Sequence, residues 1–152
     1  MSMMKIGRAI DAFMFTKSLL VGIIIGLAVL AVTSAQTSRS VWDGVYTQEQ
    51  ATRGALSSGL CTQCHGDSFQ GDPAPPLTGP DFLTKWDGTT VGDLFELIRQ
   101  TMPDDDPGAL TPAQYADLLA YILSLNKFPS GSTELATDAK LLNEIRFVAT
   151  KP

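Results

Sequence analysis

Apolar residues recur at helical spacing in three segments after residue 46, and this region shows no clear run of alternating strand pattern. The clearest segment is LTPAQYADLLAYILSLNKF, whose apolar stripe consists of Tyr115, Leu118, Leu119 and Ile122. Thr111 is the candidate N-cap, Pro112 suits the first helical position, and Gln114 completes a capping box. Asn126 is a suitable stop. The pattern predicts a helix over 112–125 with one face on a core.

Two earlier segments carry similar helix-start signals. TQEQATRGALSSGL opens with Thr47 as candidate N-cap and Gln50 three residues on, and we expect its helix to run to about Leu60. TTVGDLFELIRQ has Thr90 and Asp93 in the corresponding positions. Its apolar face consists of Val91, Leu94, Phe95 and Ile98. The proline in TMPDDDPG ends this helix, because proline cannot continue the hydrogen-bond ladder.

The connecting segments are irregular. Residues 66–89 are dense in glycine and proline, which predicts a structured loop without regular secondary structure. Its apolar side chains need a surface to cover them: Phe69, Leu77, Phe82 and Trp86. In the tail, a short helix is predicted at Asp138–Glu144 behind Thr137. The predicted fold class is therefore all-α, with three main helices, a small core and a wrapping C-terminal tail.

The first 35 residues predict a secretory signal peptide. Three basic residues, Lys5, Arg8 and Lys17, precede the apolar run 19–32, and small residues lead to a cleavage point after Ala35. The run of 14 apolar residues is short of the roughly 20 that span a bilayer as a helix. Cleavage is the expectation, and an uncleaved membrane anchor is the alternative. In a bacterial cell either outcome places the domain in the periplasm or outside.

Length and charge complete the outline. The 152 residues suit one domain, divided into a lead-in at 36–46, a domain at 47–127 and an extension at 128–152. The chain has 11 basic and 16 acidic residues, and loss of the leader leaves 8 and 15, a net charge of −7. This charge argues against nucleic acid as a partner. An acidic surface instead favours basic docking faces on other proteins.

The only two cysteines, Cys61 and Cys64, are followed at once by the only histidine, His65. A disulfide is the default for an exported chain, but a C-x-x-C loop is too short for the bond to add much stability. A redox pair needs a βαβ context, and structural zinc needs four ligands. C-x-x-C-H is also the attachment pattern of haem, in which both thiols join the porphyrin and the imidazole binds the iron. The motif predicts one covalent haem c, with disulfide and zinc as minor alternatives. We expect the haem-free chain to be largely unfolded.

Met102 is the predicted second axial ligand of the iron. It is the only methionine of the five that lies outside the leader, and it sits between two predicted helices. Methionine with histidine is a common ligand pair in electron-transfer haem proteins and raises the reduction potential. The alternatives are a lysine ligand, an open sixth position, or a methionine that fills a core gap. An iron whose sixth position is filled by methionine favours an electron carrier over a protein that reacts with oxygen or peroxide.

Taken together, CTQCHG, PPLTGPDF and TMPDDDPGALTPAQYADLLAYILSLN resemble the class I monohaem c-type cytochromes, over residues 45–127. The resemblance implies a cytochrome c-like fold in which the first and last helices cross beside the haem, with Gly54 and Tyr121 at the crossing. Here the glycine lies about one residue nearer the first cysteine than is usual in the family. The tail resembles extensions found on some bacterial members.

The resemblance also implies a set of haem contacts. A proline carbonyl in APPL, from Pro75 or Pro76, is expected to accept a hydrogen bond from the His65 ring. Pro76, Leu77 and Trp86 are expected to line the haem pocket, with Trp86 near a propionate. A plain core tryptophan is the alternative for Trp86.

Three carboxylates, Asp104, Asp105 and Asp106, follow Met102 closely. Calcium needs six or more oxygen ligands spread around the ion, and consecutive carboxylates point in different directions. We therefore expect a solvated loop. Its position beside Met102 suits the steering of a basic partner.

The resemblance implies a periplasmic one-electron carrier and not an enzyme. Similar cytochromes accept electrons from quinoprotein alcohol or sugar dehydrogenases and pass them towards a terminal oxidase. One alternative is a fixed cytochrome subunit of a larger quinoprotein-type dehydrogenase. Others are a haem-based sensor with a labile Met102 and a non-haem binding module with a Cys61–Cys64 disulfide. Contact with a membrane is expected only if the leader stays uncleaved.

Overall fold

The computed structural model describes residues 39–152, so the predicted leader at 1–35 lies outside the described residues. Within 39–152 the chain forms six helices and one pair of two-residue strands: β1 (Arg39–Ser40), α1 (Gln48–Ser57), α2 (Gly59–His65), α3 (Gly79–Trp86), α4 (Val91–Thr101), α5 (Pro112–Leu125), α6 (Ala139–Leu142) and β2 (Ile145–Arg146). None of these helices combines the length and the apolar character that crossing a membrane requires. The all-α fold class is confirmed.

The two strongest helix-start predictions are confirmed in detail. Thr90 accepts a hydrogen bond from the backbone N–H of Asp93, whose side chain bonds back to the backbone N–H of Thr90. Thr111 and Gln114 form the same reciprocal pair at the start of α5. Each capping box satisfies two backbone N–H groups that lack a helical acceptor. At the other end of α5, Asn126 is the C-cap residue, as predicted.

The first predicted helix is broken in two. α1 ends at Ser57, the backbone N–H and hydroxyl of Ser58 both bond to the carbonyl of Ala55, and α2 begins at Gly59. Serine competes with the helix by bonding to nearby backbone, which explains the interruption at this position. The prediction of one helix to Leu60 was therefore wrong, and the C-x-x-C-H motif lies inside a separate helix.

Two other boundaries also differ from prediction. Residues 79–86, predicted as part of a loop, form α3, with Pro80 in its first turn, where proline costs no hydrogen bond. The helix predicted at 138–144 is the shorter α6, capped by the side chain of Asp138. Both segments are short, so turn-forming residues near them influence a sequence-based prediction more than the spacing of their apolar residues does.

The crossing of α1 and α5 is the main helix contact, and the predicted role of Gly54 is confirmed. A Cβ at Gly54 would overlap the backbone carbonyl of Asp117 and lie 2.9 Å from Cβ of Tyr121. Glycine is therefore required for the two backbones to approach this closely. Beside the crossing, the guanidinium of Arg53 donates two hydrogen bonds to the carboxylate of Asp117, at 2.9 and 3.0 Å.

A chain of edge-to-face aromatic rings joins α3 to the lead-in and the tail. The ring centroids of Phe82 and Phe147 are 5.9 Å apart, those of Phe147 and Phe128 are 5.4 Å apart, and those of Phe128 and Trp42 are 4.8 Å apart. Phe147 has no exposed surface and Phe82 has 1%. The tail therefore contributes to the core itself.

Hydrogen bonds confirm that the tail wraps the domain. The strands β1 and β2 pair in parallel, and the indole N–H of Trp42 donates to the carbonyl of Val148 at 2.9 Å. The buried Gln50 amide donates to the carbonyl of Leu135 at 3.2 Å and accepts from the Leu135 N–H at 2.8 Å. Because its side chain is engaged with the tail, Gln50 does not complete the capping box predicted with Thr47.

Asn126 links the end of α5 to the loop before α3. Its side-chain amide donates to the carbonyl of Leu77 at 2.9 Å and accepts from the N–H of Gly79 at 3.1 Å. We expect Asn126→Ala to lower the free energy of unfolding by about 1–2 kcal/mol, since two partly buried backbone groups lose their partner. Denaturant unfolding measures this loss. Gln100→Ala, which removes an exposed side chain bonded to Glu96, is the control and should cost less than about 0.5 kcal/mol. Equal losses would contradict the link.

Candidate haem site

The three residues of the motif lie on one short helix. Cys61 and Cys64 are three positions apart on α2, so their side chains are neighbours on its surface, and His65 follows in its last turn. Cys61 is half-buried, Cys64 is exposed, and both are free thiols. Burial raises the pKa of the Cys61 thiol above its ordinary value. Cys64 is therefore accessible from solvent, and Cys61 is accessible only in part.

His65 is buried, with 7% of its surface exposed, and its ring orientation is fixed. The ring atom Nδ1 lies 2.6 Å from the carbonyl oxygen of Pro75. Because a carbonyl only accepts, Nδ1 is the donor of this bond, which leaves Nε2 as the ring nitrogen available to bind a metal. The prediction that a proline carbonyl holds this ring is confirmed, and the proline is Pro75. Nε2 has no hydrogen-bond partner within residues 39–152, as a metal ligand requires.

The segment after α2 folds back onto the motif and supports it. The N–H of Gly71 bonds to the carbonyl of His65 and the N–H of Ala74 bonds to the carbonyl of Cys64, both at 2.9 Å. These bonds satisfy carbonyl groups that the end of a helix otherwise leaves without partners. Gly66 allows the reversal, because its φ of +83° is a conformation that favours glycine. The loop places Pro75 against the His65 ring.

The three predicted pocket residues occupy different surroundings. Pro76 and Leu77 are half-buried in the segment that follows Pro75, and Pro76 lines an open recess of about 460 Å³. Trp86 lies on α3 with its ring 6.4 Å from that of Phe82, inside the hydrophobic core. These surroundings agree with the alternative that Trp86 is a core residue. Contact of these three side chains with haem remains a prediction.

The apolar side chains of the 66–89 segment, which need a surface to cover them, are covered by protein. Phe82 and Trp86 pack into the main core, and Leu77 packs partly against it. Phe69 is 2% exposed, and its ring lies edge-to-face with Tyr121 at 5.9 Å. The apolar residues of the 66–89 segment therefore find partners in α3, α5 and the tail.

Met102 lies where the sequence predicts, directly after α4. It is the C-cap residue of this helix, its side chain is half-buried, and its N–H bonds to the carbonyl of Ile98 at 2.9 Å. Its carbonyl accepts a hydrogen bond from the hydroxyl of Tyr115 at 2.7 Å. Sequence reasoning treated Tyr115 only as part of an apolar stripe, so this contact was missed. The role of Met102 as an iron ligand remains a prediction.

The acidic loop after Met102 is exposed. Asp104, Asp105 and Asp106 form no ion pair with any residue in the described part of the chain. Across residues 39–152, no group of three or more His, Cys, Asp or Glu side chains is arranged to hold a metal ion. The exposure of Asp104, Asp105 and Asp106 agrees with the solvated loop that we expected.

Comparison with known proteins agrees with this arrangement. Residues 49–122, just under half of the chain, match the family model described as cytochrome C oxidase, cbb3-type, subunit III. No curated protein and no solved structure matches the chain. The matched range contains the C-x-x-C-H motif, Met102 and most of the helical domain. The helical fold, the C-x-x-C-H motif and the family match together support a c-type cytochrome family for this chain.

Proposed function

We propose that this protein is an electron carrier that holds a single haem c through thioether bonds from Cys61 and Cys64. The observation that carries the proposal is the hydrogen bonding of the His65 ring and its position next to the two cysteines. Its Nδ1 is held by Pro75, its Nε2 has no hydrogen-bond partner among residues 39–152, and it directly follows two cysteines that are free thiols. Two thiols, an oriented imidazole and a thioether sulfur are a donor set that fits haem.

Each residue has a distinct task in this proposal. Cys61 and Cys64 would hold the porphyrin, and His65 and Met102 would bind its iron. The carbonyl of Pro75 keeps the His65 ring in one orientation and raises its basicity as a ligand. Pro76, Leu77 and Trp86 line the pocket and limit access of water. When bound, the haem supplies the reversible one-electron chemistry of its iron, and the protein supplies position and surroundings.

The net charge and the predicted leader support a periplasmic carrier with basic partners. Without the leader the chain has a net charge of −7, and the exposed Asp104, Asp105 and Asp106 lie close to Met102 in sequence. Negative charge at this position favours encounter with a positively charged docking face. We propose a route from a quinoprotein alcohol or sugar dehydrogenase, through this protein, to a terminal oxidase.

A fixed subunit of a larger redox complex is the second candidate. The matching family is described as a subunit of an oxidase, which favours this role. Purification of the full-length chain from its own host under mild detergent separates the two candidates. A carrier purifies alone and is reduced by its partner at a rate that falls with salt. A fixed subunit purifies at constant stoichiometry with larger chains and shows no such dependence.

The axial ligands give the test of the proposed function. We expect the full chain, expressed in a host with haem-attachment machinery, to be coloured. Its reduced spectrum should have the sharp α-band of haem c, and its oxidised spectrum the weak long-wavelength band of a methionine–iron bond. Met102→Ala should retain the haem and abolish the weak band. Leu97→Ala is the control. It changes an exposed residue of α4, the helix that ends just before Met102, and should leave both bands intact.

Two results would contradict the proposal at different points. A colourless protein from a host that matures other cytochromes would remove haem altogether and return Cys61 and Cys64 to a disulfide. A coloured protein without the weak band would retain haem but remove Met102 as a ligand. A haem-based sensor would then be favoured over an electron carrier as the function of this protein.

A further inference from the structure

Tyr115 makes a contact that its place in an apolar stripe does not explain. It lies in the first turn of α5 and is only 1% exposed. Its hydroxyl donates to the backbone carbonyl of Met102 at 2.7 Å, and the N–H of Met102 is already bonded to Ile98. Both backbone polar groups of Met102 are therefore held, one by its own helix and the other by a different helix.

The local chain does not supply the second bond. Met102 is the C-cap of α4, where the last carbonyl groups have no helical partner, and in the turn that follows, the N–H of Asp106 bonds to the carbonyl of Pro103 instead. Beyond it, residues 104–109 are exposed. The Tyr115 hydroxyl thus anchors the start of an exposed loop to the buried face of α5.

We propose that Tyr115 is a positioning residue for the sixth ligand of the haem iron, an inference that rests on the proposed function. A methionine sulfur is a weak ligand that competes with water and with added bases, so its occupancy depends on how firmly its backbone is held. With the carbonyl anchored, only the side-chain torsions of Met102 need to be set for the sulfur to stay in place. Without the anchor, conformations with the sulfur away from the iron become more populated.

Tyr115→Phe in the haem-loaded protein tests the inference, because it removes one hydroxyl and retains the ring. Imidazole, which replaces methionine at oxidised iron, is the probe. We expect imidazole to bind about five- to tenfold more tightly to the variant, the range that corresponds to one buried hydrogen bond. We also expect the weak long-wavelength band to disappear at a lower temperature than in the parent protein.

Tyr46→Phe is the matched control. Tyr46 is 2% exposed, and its hydroxyl donates to the backbone carbonyl of Phe128 at 2.6 Å, so this variant loses an equivalent bond to the tail. It should lose similar thermal stability but keep the parent affinity for imidazole. A shift in imidazole affinity that is equal in both variants would overturn the inference, since it would reflect general loosening.

The remaining outcomes distinguish a failure of methionine ligation from a failure of the role of Tyr115. A parent protein without the weak band refutes methionine ligation, and the inference is overturned with it. A parent protein with the band and an unchanged imidazole affinity in Tyr115→Phe overturns the inference alone. Should Tyr115→Phe not fold, proton NMR of the reduced parent protein decides. A slowly exchanging Tyr115 hydroxyl proton with a cross-peak to Met102 or Pro103 supports the anchor, and its absence overturns it.

Discussion

Replacement of both Cys61 and Cys64 by serine is expected to abolish haem attachment completely. A hydroxyl does not form the thioether bond, and the single histidine cannot retain the cofactor covalently. Mass spectrometry of the denatured protein measures the result directly. The parent chain should carry the added mass of one haem, and the double variant should have the mass of the polypeptide alone.

The same variant also tests whether cofactor and fold depend on each other. We expect it to lose most of its helical circular dichroism, because the domain is small and would lack the apolar contact area that a bound porphyrin would add. Gln63→Ala, an exposed position between the two cysteines, is the control and should retain haem and helicity. A double serine variant that keeps haem after denaturation would contradict thioether attachment. One that loses haem but remains fully helical would contradict only the dependence of the fold on the cofactor.

Gly54→Ala is expected to have the largest effect on stability of the single substitutions considered. The new Cβ would overlap the carbonyl of Asp117, and backbone cannot rotate away as a side chain can. The helices α1 and α5 must therefore separate, and we expect the free energy of unfolding to fall by about 3 kcal/mol. Denaturant unfolding of the haem-loaded protein measures the change.

Gly59→Ala is the matched control for Gly54→Ala. Gly59 is also helical, and a Cβ there would meet no atom within 4 Å. Alanine has the higher helix propensity, so Gly59→Ala should be neutral or stabilise the protein by up to about 1 kcal/mol. A similar loss of stability in both variants would indicate a general effect of glycine replacement and contradict the role of the crossing.

Local patterns were enough to predict much of the helical domain. The capping boxes at Thr90 and Thr111 and the stop at Asn126 occur as predicted, because a cap is a bond between residues three or four positions apart. The resemblance correctly implied the crossing at Gly54 and the carbonyl that holds His65. These features are accessible without coordinates, since each has a short sequence signature.

The misplaced features depend on partners far along the chain. The β1–β2 pair joins residues more than 100 positions apart and is only two residues long, so it has no periodic signal. The helix α3 owes its stability to burial of Phe82 against Phe147 of the tail. The amide of Gln50, predicted to complete a cap, bonds instead to Leu135, because tertiary contacts outweigh a local preference.

The sequence by itself determined which residues are available to bind a haem, namely Cys61, Cys64, His65 and Met102, and it predicted the starts of α1, α4 and α5. It did so because ligand type and helix signals are properties of residue identity and short spacing. Only the tertiary structure decided that the tail completes the core, that Pro75 and not Pro76 holds the His65 ring, and that Tyr115 anchors the backbone of Met102. Each of these is a contact between separate segments, and its energy depends on geometry that arises only when the segments pack together.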